Sequence, residues 1–241
     1  MEGTTWSDIA GWYDDLVSSG RSPHGTAVAT TLELAGDVRG LRVLDAACGQ
    51  GSATRALARA GALVTGADAT PELLEAAREH EAADPLGITY VLADAQRLEA
   101  FAAGGFDLVT CQLALMDIPD LDATLRAVRR VLRPHGAFVA VISHPCFLAP
   151  FAQTVTTADG RPGRLVATYL REDFWRSPNP EGVRRAGAHH RTLATYLNAL
   201  VRHGFALEAA LEPAASGAYA QAHPEYTQVP IFLGLRARRL P

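Results

Sequence analysis

Short apolar runs alternate with amphipathic stretches along much of this chain. Leu41–Ala46, Leu63–Asp68, Ile88–Leu92, Phe106–Cys111 and Ala137–Ser143 are largely apolar runs of strand length, the pattern of strands buried on both faces. Ser52–Ala60, Pro71–Ala82 and residues 121–132 lie between them with apolar residues at helical spacing, and Pro71 sits where a helix starts. Residues 1–23 read as a helical or irregular arm carrying Trp6, Trp12 and Tyr13, and residues 24–36 as a helix closing near Gly36. After Ser143 the pattern breaks. Residues 145–188 are rich in proline and glycine and hold no long periodic run. Thr192–Arg202 is again helical and stops at Gly204, and Phe205–Leu211 and Ile231–Ala237 read as a closing pair of strands.

Strands alternating with helices across short loops predict crossover units and a mostly parallel sheet in an α/β domain. The expected organisation is one domain over 1–241. Residues 1–36 form an N-terminal arm or lid, 37–143 a cofactor-binding half, 144–190 an insertion or lid, and 191–241 a closing helix and strands.

Composition narrows the function classes. The chain has 241 residues, 48% hydrophobic and 20% charged, with a net charge of -4. It therefore lacks the basic footprint of a nucleic-acid partner or an anionic membrane surface. The scattered Cys48, Cys111 and Cys146 fit a reducing, cytoplasmic setting and have no metal-ligand spacing, so no metal is expected. The N-terminus carries Glu2, Asp8 and Asp14 and no apolar run, so it does not read as a signal or transit peptide. All 22 basic residues are arginines. Chemistries that need a lysine amine are thereby excluded: a Walker phosphate loop, a pyridoxal Schiff base and a lysine-assisted dehydrogenase.

The stretch Val43-Leu44-Asp45-Ala46-Ala47-Cys48-Gly49-Gln50-Gly51-Ser52-Ala53-Thr54 runs from strand through a Gly-x-Gly turn into a helix. Such a turn presents bare backbone N–H groups to a ligand. A dinucleotide fingerprint would place a third small residue at position 54, where this chain has Thr54. Asp68 ends the second strand, where a carboxylate accepts hydrogen bonds from ribose hydroxyls. Asp94-Ala95 follows the third strand, and a carboxylate beside a free N–H there can read an adenine edge. The turn alone leaves a nicotinamide cofactor and S-adenosylmethionine both open.

Taken with Phe106-Asp107-Leu108-Val109-Thr110 and Val131-Leu132-Arg133-Pro134-His135-Gly136, these motifs resemble those of class I S-adenosylmethionine-dependent methyltransferases over roughly residues 40–143. The family usually has Pro-Gly-Gly where this chain has Pro134-His135-Gly136. The resemblance implies a Rossmann-like, doubly wound seven-stranded sheet in order 3-2-1-4-5-7-6 with strand 7 antiparallel. It also implies S-adenosylmethionine as cofactor, released as S-adenosylhomocysteine. Asp45, Ala46, Gly49 and Gly51 would hold the methionine part, Asp68 with Ala69 the ribose, Asp94 and Ala95 the adenine, and Gln112 would line the site near the sulfonium.

The acceptor is expected to be a small metabolite, apolar or aromatic, methylated on O or N by a monomer or homodimer. Ser143-His144-Pro145-Cys146-Phe147 and His189-His190-Arg191-Thr192 resemble segments of small-molecule members of the family. On that footing His190 is the first base candidate, His144 the second, and Asp117, after strand four, the third. Tyr13, Tyr169, Trp175, His189 and Arg191 are the substrate-binding candidates. DNA amino-methylating, cytosine-C5 and metal-dependent catechol-type members carry signatures absent from the corresponding places. Two other readings stand beside transfer: a cofactor-binding protein using the fold for another step such as cyclisation, and a nicotinamide-dependent oxidoreductase.

Overall fold

The structure is a computed structural model that describes residues 3–241. The arm is a helix, α1 (Trp6–Ser18), started by a capping box in which the Thr5 hydroxyl and the Asp8 carboxylate satisfy each other's backbone N–H groups. Helix α2 (His24–Ala35) follows and ends at Gly36. Then come β1 (Arg42–Ala46), α3 (Ser52–Arg59), β2 (Leu63–Asp68), α4 (Pro71–Ala83), β3 (Thr89–Leu92), β4 (Phe106–Gln112), α5 (Leu121–Val131) and β5 (Leu132–Ser143). The irregular segment contributes two ribbons, β6 (Gln153–Thr156) with β7 (Pro162–Leu165), and β8 (Phe174–Trp175) with β9 (Ala188–His189), plus a 3-10 turn over Val183–Ala186. The chain finishes with α6 (Leu193–Arg202), β10 (Phe205–Leu211), α7 (Gly217–Ala222) and β11 (Phe232–Arg239).

The main sheet has seven strands in the order β10-β11-β5-β4-β1-β2-β3. Read from its other edge this is the expected 3-2-1-4-5-7-6, with β11 as seventh strand and antiparallel to both neighbours. β1 is central, parallel to β2 and β4. Alternate strand residues feed two cores. Val43, Val64, Leu108 and Val139 pack with Leu34, Ala35 and Leu57 of α2 and α3. Leu44, Val109, Phe138 and Leu235 pack with Leu125, Val128, Ala199 and Leu200 of α5 and α6. Both faces are thus covered by helices, which is why the strands read as continuous apolar runs rather than as alternation.

One boundary differs from the sequence expectation. β5 begins at Leu132, directly after α5, rather than at Ala137. Leu132 already pairs with Phe106 of β4, and Arg133 forms an ion pair with Asp107 at 2.6 Å. The polar Arg-Pro-His stretch is a bulge between the Leu132–Phe106 and Ala137–Leu108 pairs, with His135 at a positive φ of 62°. Residues 144–190 lie against the loop after β4 and against the arm. His189 N–H donates to the Met116 carbonyl at 2.7 Å, and the Arg185 guanidinium sits 4.0 Å from the Trp12 ring centroid. No described helix is long and apolar enough to cross a membrane.

Candidate active site

The carboxyl ends of β1, β2, β3 and β4 open on a cleft enclosing about 1020 Å³, its mouth included. This is where ligands bind in open α/β sheets, and the size suits a metabolite site. The parallel strands aim their last residues at one place: Asp45 ends β1 but for one residue, Asp68 ends β2, Asp94 follows β3 and Gln112 ends β4.

Asp45 is fully buried at the base of the cleft. Its two oxygens accept from the hydroxyls of Thr54 (2.6 Å) and Thr110 (2.7 Å). No cation among the described residues faces it, and burial pushes its carboxyl up to about 6. Thr54 thus has a task that the dinucleotide pattern does not foresee, because it ties helix α3 to the strand it follows. Asp68 is 8% exposed and clamps the glycine turn: one oxygen accepts from Gly49 N–H and the other from Thr70 N–H, both at 2.8 Å. Each oxygen keeps a lone pair, so the carboxylate can still receive ligand hydroxyls. Burial raises its pKa as well. Asp94 closes an Asx turn onto Gln96 N–H at 2.8 Å, and Gln112 Oε1 accepts from the Thr31 hydroxyl at 3.0 Å.

The two turn glycines differ. Gly49 lines the cleft at φ +57°, and a Cβ there would meet nothing nearer than Tyr13 Cε1 at 4.0 Å. It would project into the space a ligand occupies. Gly51, at φ +90°, does not line the cleft, and a Cβ there would lie 2.4 Å from the Tyr90 hydroxyl. Gly49 leaves room for a ligand, whereas Gly51 leaves room for the protein's own packing.

Of the cofactor candidates, Asp45, Gly49, Asp68, Ala69, Asp94, Ala95 and Gln112 line the cleft. Ala46 does not, being packed within the sheet. Tyr13 and Asp117 also reach it, joined by Trp6, His24, Leu113, Ile118 and Pro119. Asp117 is paired with Arg184 from the insertion, which also reaches Ser143 Oγ at 3.3 Å. Burial pushes the Asp117 carboxyl up to about 6 in spite of that arginine.

The remaining candidates lie elsewhere, and their expected roles need correction. His144 is 1% exposed; its Nε2 is 2.8 Å from Glu212 and its Nδ1 accepts from Cys146 N–H. His190 Nε2 lies 2.7 Å from the Tyr169 carbonyl, and the Tyr169 hydroxyl accepts from Leu193 N–H at 2.8 Å. His144 is held at both ring nitrogens and His190 at Nε2, and neither histidine lines the cleft. Arg191 donates to the carbonyls of Leu115, Ile118 and Pro119 at 2.6–2.8 Å. These bonds tie it to the loop after β4, and it does not line the cleft. The His189 ring meets Phe174 at a tilt, as Trp175 meets Phe151. Trp175, His189, His190 and Arg191 line a separate, smaller recess.

Sequence reasoning passed over His24. The Ser22-Pro23-His24 stretch reads as an ordinary helix start, and only the folding back of α1 brings His24 against Tyr13. The available signal was a histidine at the first turn of a helix that leads toward the cleft.

The chain is similar to known proteins over this cleft-forming half and beyond it. Residues 44–140 match the family model described as a methyltransferase domain. A ubiquinone biosynthesis O-methyltransferase from Xanthomonas oryzae pv. oryzae (strain PXO99A) is 41% identical over 100 residues, 42% of this chain and 42% of that protein. The match thus spans well under half the length of that curated relative. An S-adenosylmethionine-dependent methyltransferase from Mesorhizobium loti, solved by crystallography, superposes with a TM-score of 0.72 at 33% identity, covering 90% of this chain and 98% of that one. The [4+2]-cyclase SpnF superposes with a TM-score of 0.66, covering 100% of this chain and 98% of that one, but at 16% identity, a likeness of fold alone.

Proposed function

This chain belongs to the S-adenosylmethionine-dependent methyltransferases, with S-adenosylmethionine as its cofactor, and we propose that it transfers the methyl group to an oxygen or nitrogen of a small, partly apolar or aromatic metabolite. The observation that carries this reading is the row of strand-end groups Asp45, Asp68, Asp94 and Gln112 along one cleft, continued by apolar residues of other segments. The residues present fit the cofactor. Asp68 keeps free lone pairs beside the glycine turn, Gly49 leaves space where a side chain would intrude, and the buried Asp45 carboxylate faces no cation among the described residues. When bound, the cofactor supplies a methyl group activated on a positively charged sulfur.

The chain's own residues bind, orient and dry the site. Asp68 would take the ribose hydroxyls, Asp94 with Ala95 the adenine, and the Asp45 end the methionine ammonium. Trp6, Leu113, Ile118 and Pro119 give the rest of the cleft an apolar wall suited to a planar or hydrocarbon acceptor. Such a wall excludes water and aligns the acceptor atom with the methyl group, the main demand of an in-line transfer. The O-methyltransferase activity named for the Xanthomonas relative supports oxygen as the acceptor atom, and the insertion together with the arm would close over the bound pair. The test is calorimetric titration with S-adenosylhomocysteine and with NAD, followed by mass-spectrometric detection of S-adenosylhomocysteine formed with a panel of small phenols, catechols and amines. Micromolar binding of the first ligand alone, with product formed from at least one acceptor, is expected. Binding of neither ligand, or no product from any acceptor, would overturn the reading.

A further inference from the structure

Two neighbouring helices bring a chain of polar groups to the cleft that the binding roles above leave unused. Tyr13 Oη of α1 lies 2.7 Å from His24 Nε2 of α2, and His24 Nδ1 lies 3.1 Å from Ser22 Oγ. Tyr13 and His24 are half-buried, and both line the cleft. Tyr13 stands opposite the glycine turn, 4.0 Å from where a Gly49 Cβ would be. Trp6 braces it edge-on with ring centroids 5.2 Å apart. Asp117 from the loop after β4, Asp68 from β2 and Arg184 from the insertion are the charged groups that face this pair.

We propose that Ser22, His24 and Tyr13 are the proton-accepting chain of the transfer reaction, and that the acceptor presents a hydroxyl group to Tyr13. This rests on the methyltransferase reading. In the tautomer that serves it, His24 Nδ1–H donates to Ser22 Oγ and the Nε2 lone pair receives the Tyr13 hydroxyl. The acceptor oxygen then bonds to the methyl carbon as the carbon–sulfur bond breaks, its electron pair staying on sulfur. The acceptor's proton passes to Tyr13 Oη while the Tyr13 proton passes to His24 Nε2. The imidazolium so formed appears as the positive charge on sulfur disappears, so the net charge of the site is unchanged. Two further facts agree. Burial beside Arg184 holds His24 down at about 4, so it stands neutral with a ring lone pair, and burial beside Asp117 holds the Tyr13 hydroxyl protonated. A neutral amine can attack without first losing a proton, whereas an un-ionised hydroxyl needs a base, and a positioned one is worth about 10²–10⁴-fold in rate.

The test uses the full chain, the variants Tyr13→Phe and His24→Gln, and two acceptor probes. Catechol is un-ionised in the assay, and 4-nitrocatechol is studied above its first ionisation. Expected results are unchanged S-adenosylhomocysteine binding, a fall of about 10²-fold or more in kcat for catechol, and a fall of less than about 10-fold for the pre-ionised probe. Independently of turnover, ¹⁵N NMR of the wild-type protein loaded with S-adenosylhomocysteine should show His24 neutral, protonated on Nδ1, with an Nε2 signal that shifts in Tyr13→Phe. A proton on Nε2, an equal loss with both probes, or turnover of amines but of neither catechol would overturn the proposal. Absence of S-adenosylhomocysteine binding by the wild type would instead overturn the methyltransferase reading beneath it.

Discussion

Replacing Asp68 by asparagine isolates what the carboxylate does, because shape is kept while charge and one acceptor are lost. In the native site each Asp68 oxygen holds a backbone N–H, from Gly49 and from Thr70, at 2.8 Å. An asparagine offers one oxygen and one NH₂, so one of these N–H groups faces a donor and loses its partner. Leaving a buried donor unmet costs about 1–3 kcal/mol. For a chain of this size that is a fall in Tm of roughly 2–4 °C per kcal/mol. The ligand side suffers separately. Charge-assisted bonds from two hydroxyls become at best one neutral bond, a loss of about 1.5–3 kcal/mol, or roughly 10–150-fold in Kd. Titration calorimetry with S-adenosylhomocysteine and a thermal melt of the same sample read both effects. A variant that binds within about 3-fold of wild type would refute the reasoning, whatever its Tm. A variant whose affinity loss is fully recovered under conditions that restore its stability would show that Asp68 acts only as a clamp on the turn.

Other expectations follow from the same geometry. Gly51→Ala drives a methyl group against the Tyr90 hydroxyl at a strained φ and should cost about 2–4 kcal/mol of stability, whereas Gly49→Ala should lose affinity for S-adenosylhomocysteine more than stability; denaturant unfolding and calorimetry on the pair separate them. Asp45 and Asp117 are both held up at about 6, so the native protein carries protons between about pH 4 and 6 that the unfolded chain has released. Their contribution to stability therefore falls as pH rises through 6 and then levels, while affinity for the cationic methyl donor rises over the same interval; urea melts and titrations from pH 5 to 8 test both signs. Arg191→Met should lower stability by about 2–4 kcal/mol by orphaning three carbonyls of the loop after β4, and an unchanged melt would remove that role. His190→Ala should cost about 0.5–1.5 kcal/mol through its bond to Tyr169 without changing the pH profile of turnover, since its ring does not reach the cleft.

The cofactor half was legible in the sequence because there local pattern and tertiary position coincide. A strand buried on both faces must be an apolar run, and the residue that ends it must emerge at the carboxyl edge of the sheet, so Asp45, Asp68 and Asp94 could be assigned to one cleft from order alone. The start of β5 was hidden because Arg133-Pro134-His135 reads as a turn and is one locally: a bulge, placed inside the strand only by the Leu132–Phe106 pair that precedes it. The acceptor end was less legible for the same kind of reason. His144 and His190 sit in the right segments, but the direction of a ring is decided by neighbours such as Glu212 and the Tyr169 carbonyl that no spacing rule exposes. His24 went unseen since its partner arrives from a different helix.

The position of β11 has a consequence for synthesis of the protein. β11, which follows the other strands along the sequence, lies between β5 and β10 rather than at an edge, and its Arg236 reaches the carbonyls of Leu34 and Ala35 in α2 at 2.7 and 3.2 Å. Until residues 232–239 leave the ribosome, β5 has one unpaired edge and β10 has no partner in the sheet. The nascent chain therefore holds an apolar strand open while the residues between β5 and β11 are made, which delays closure and favours chaperone capture over early independent folding. Shortening the chain by even this one strand would split the sheet rather than trim it.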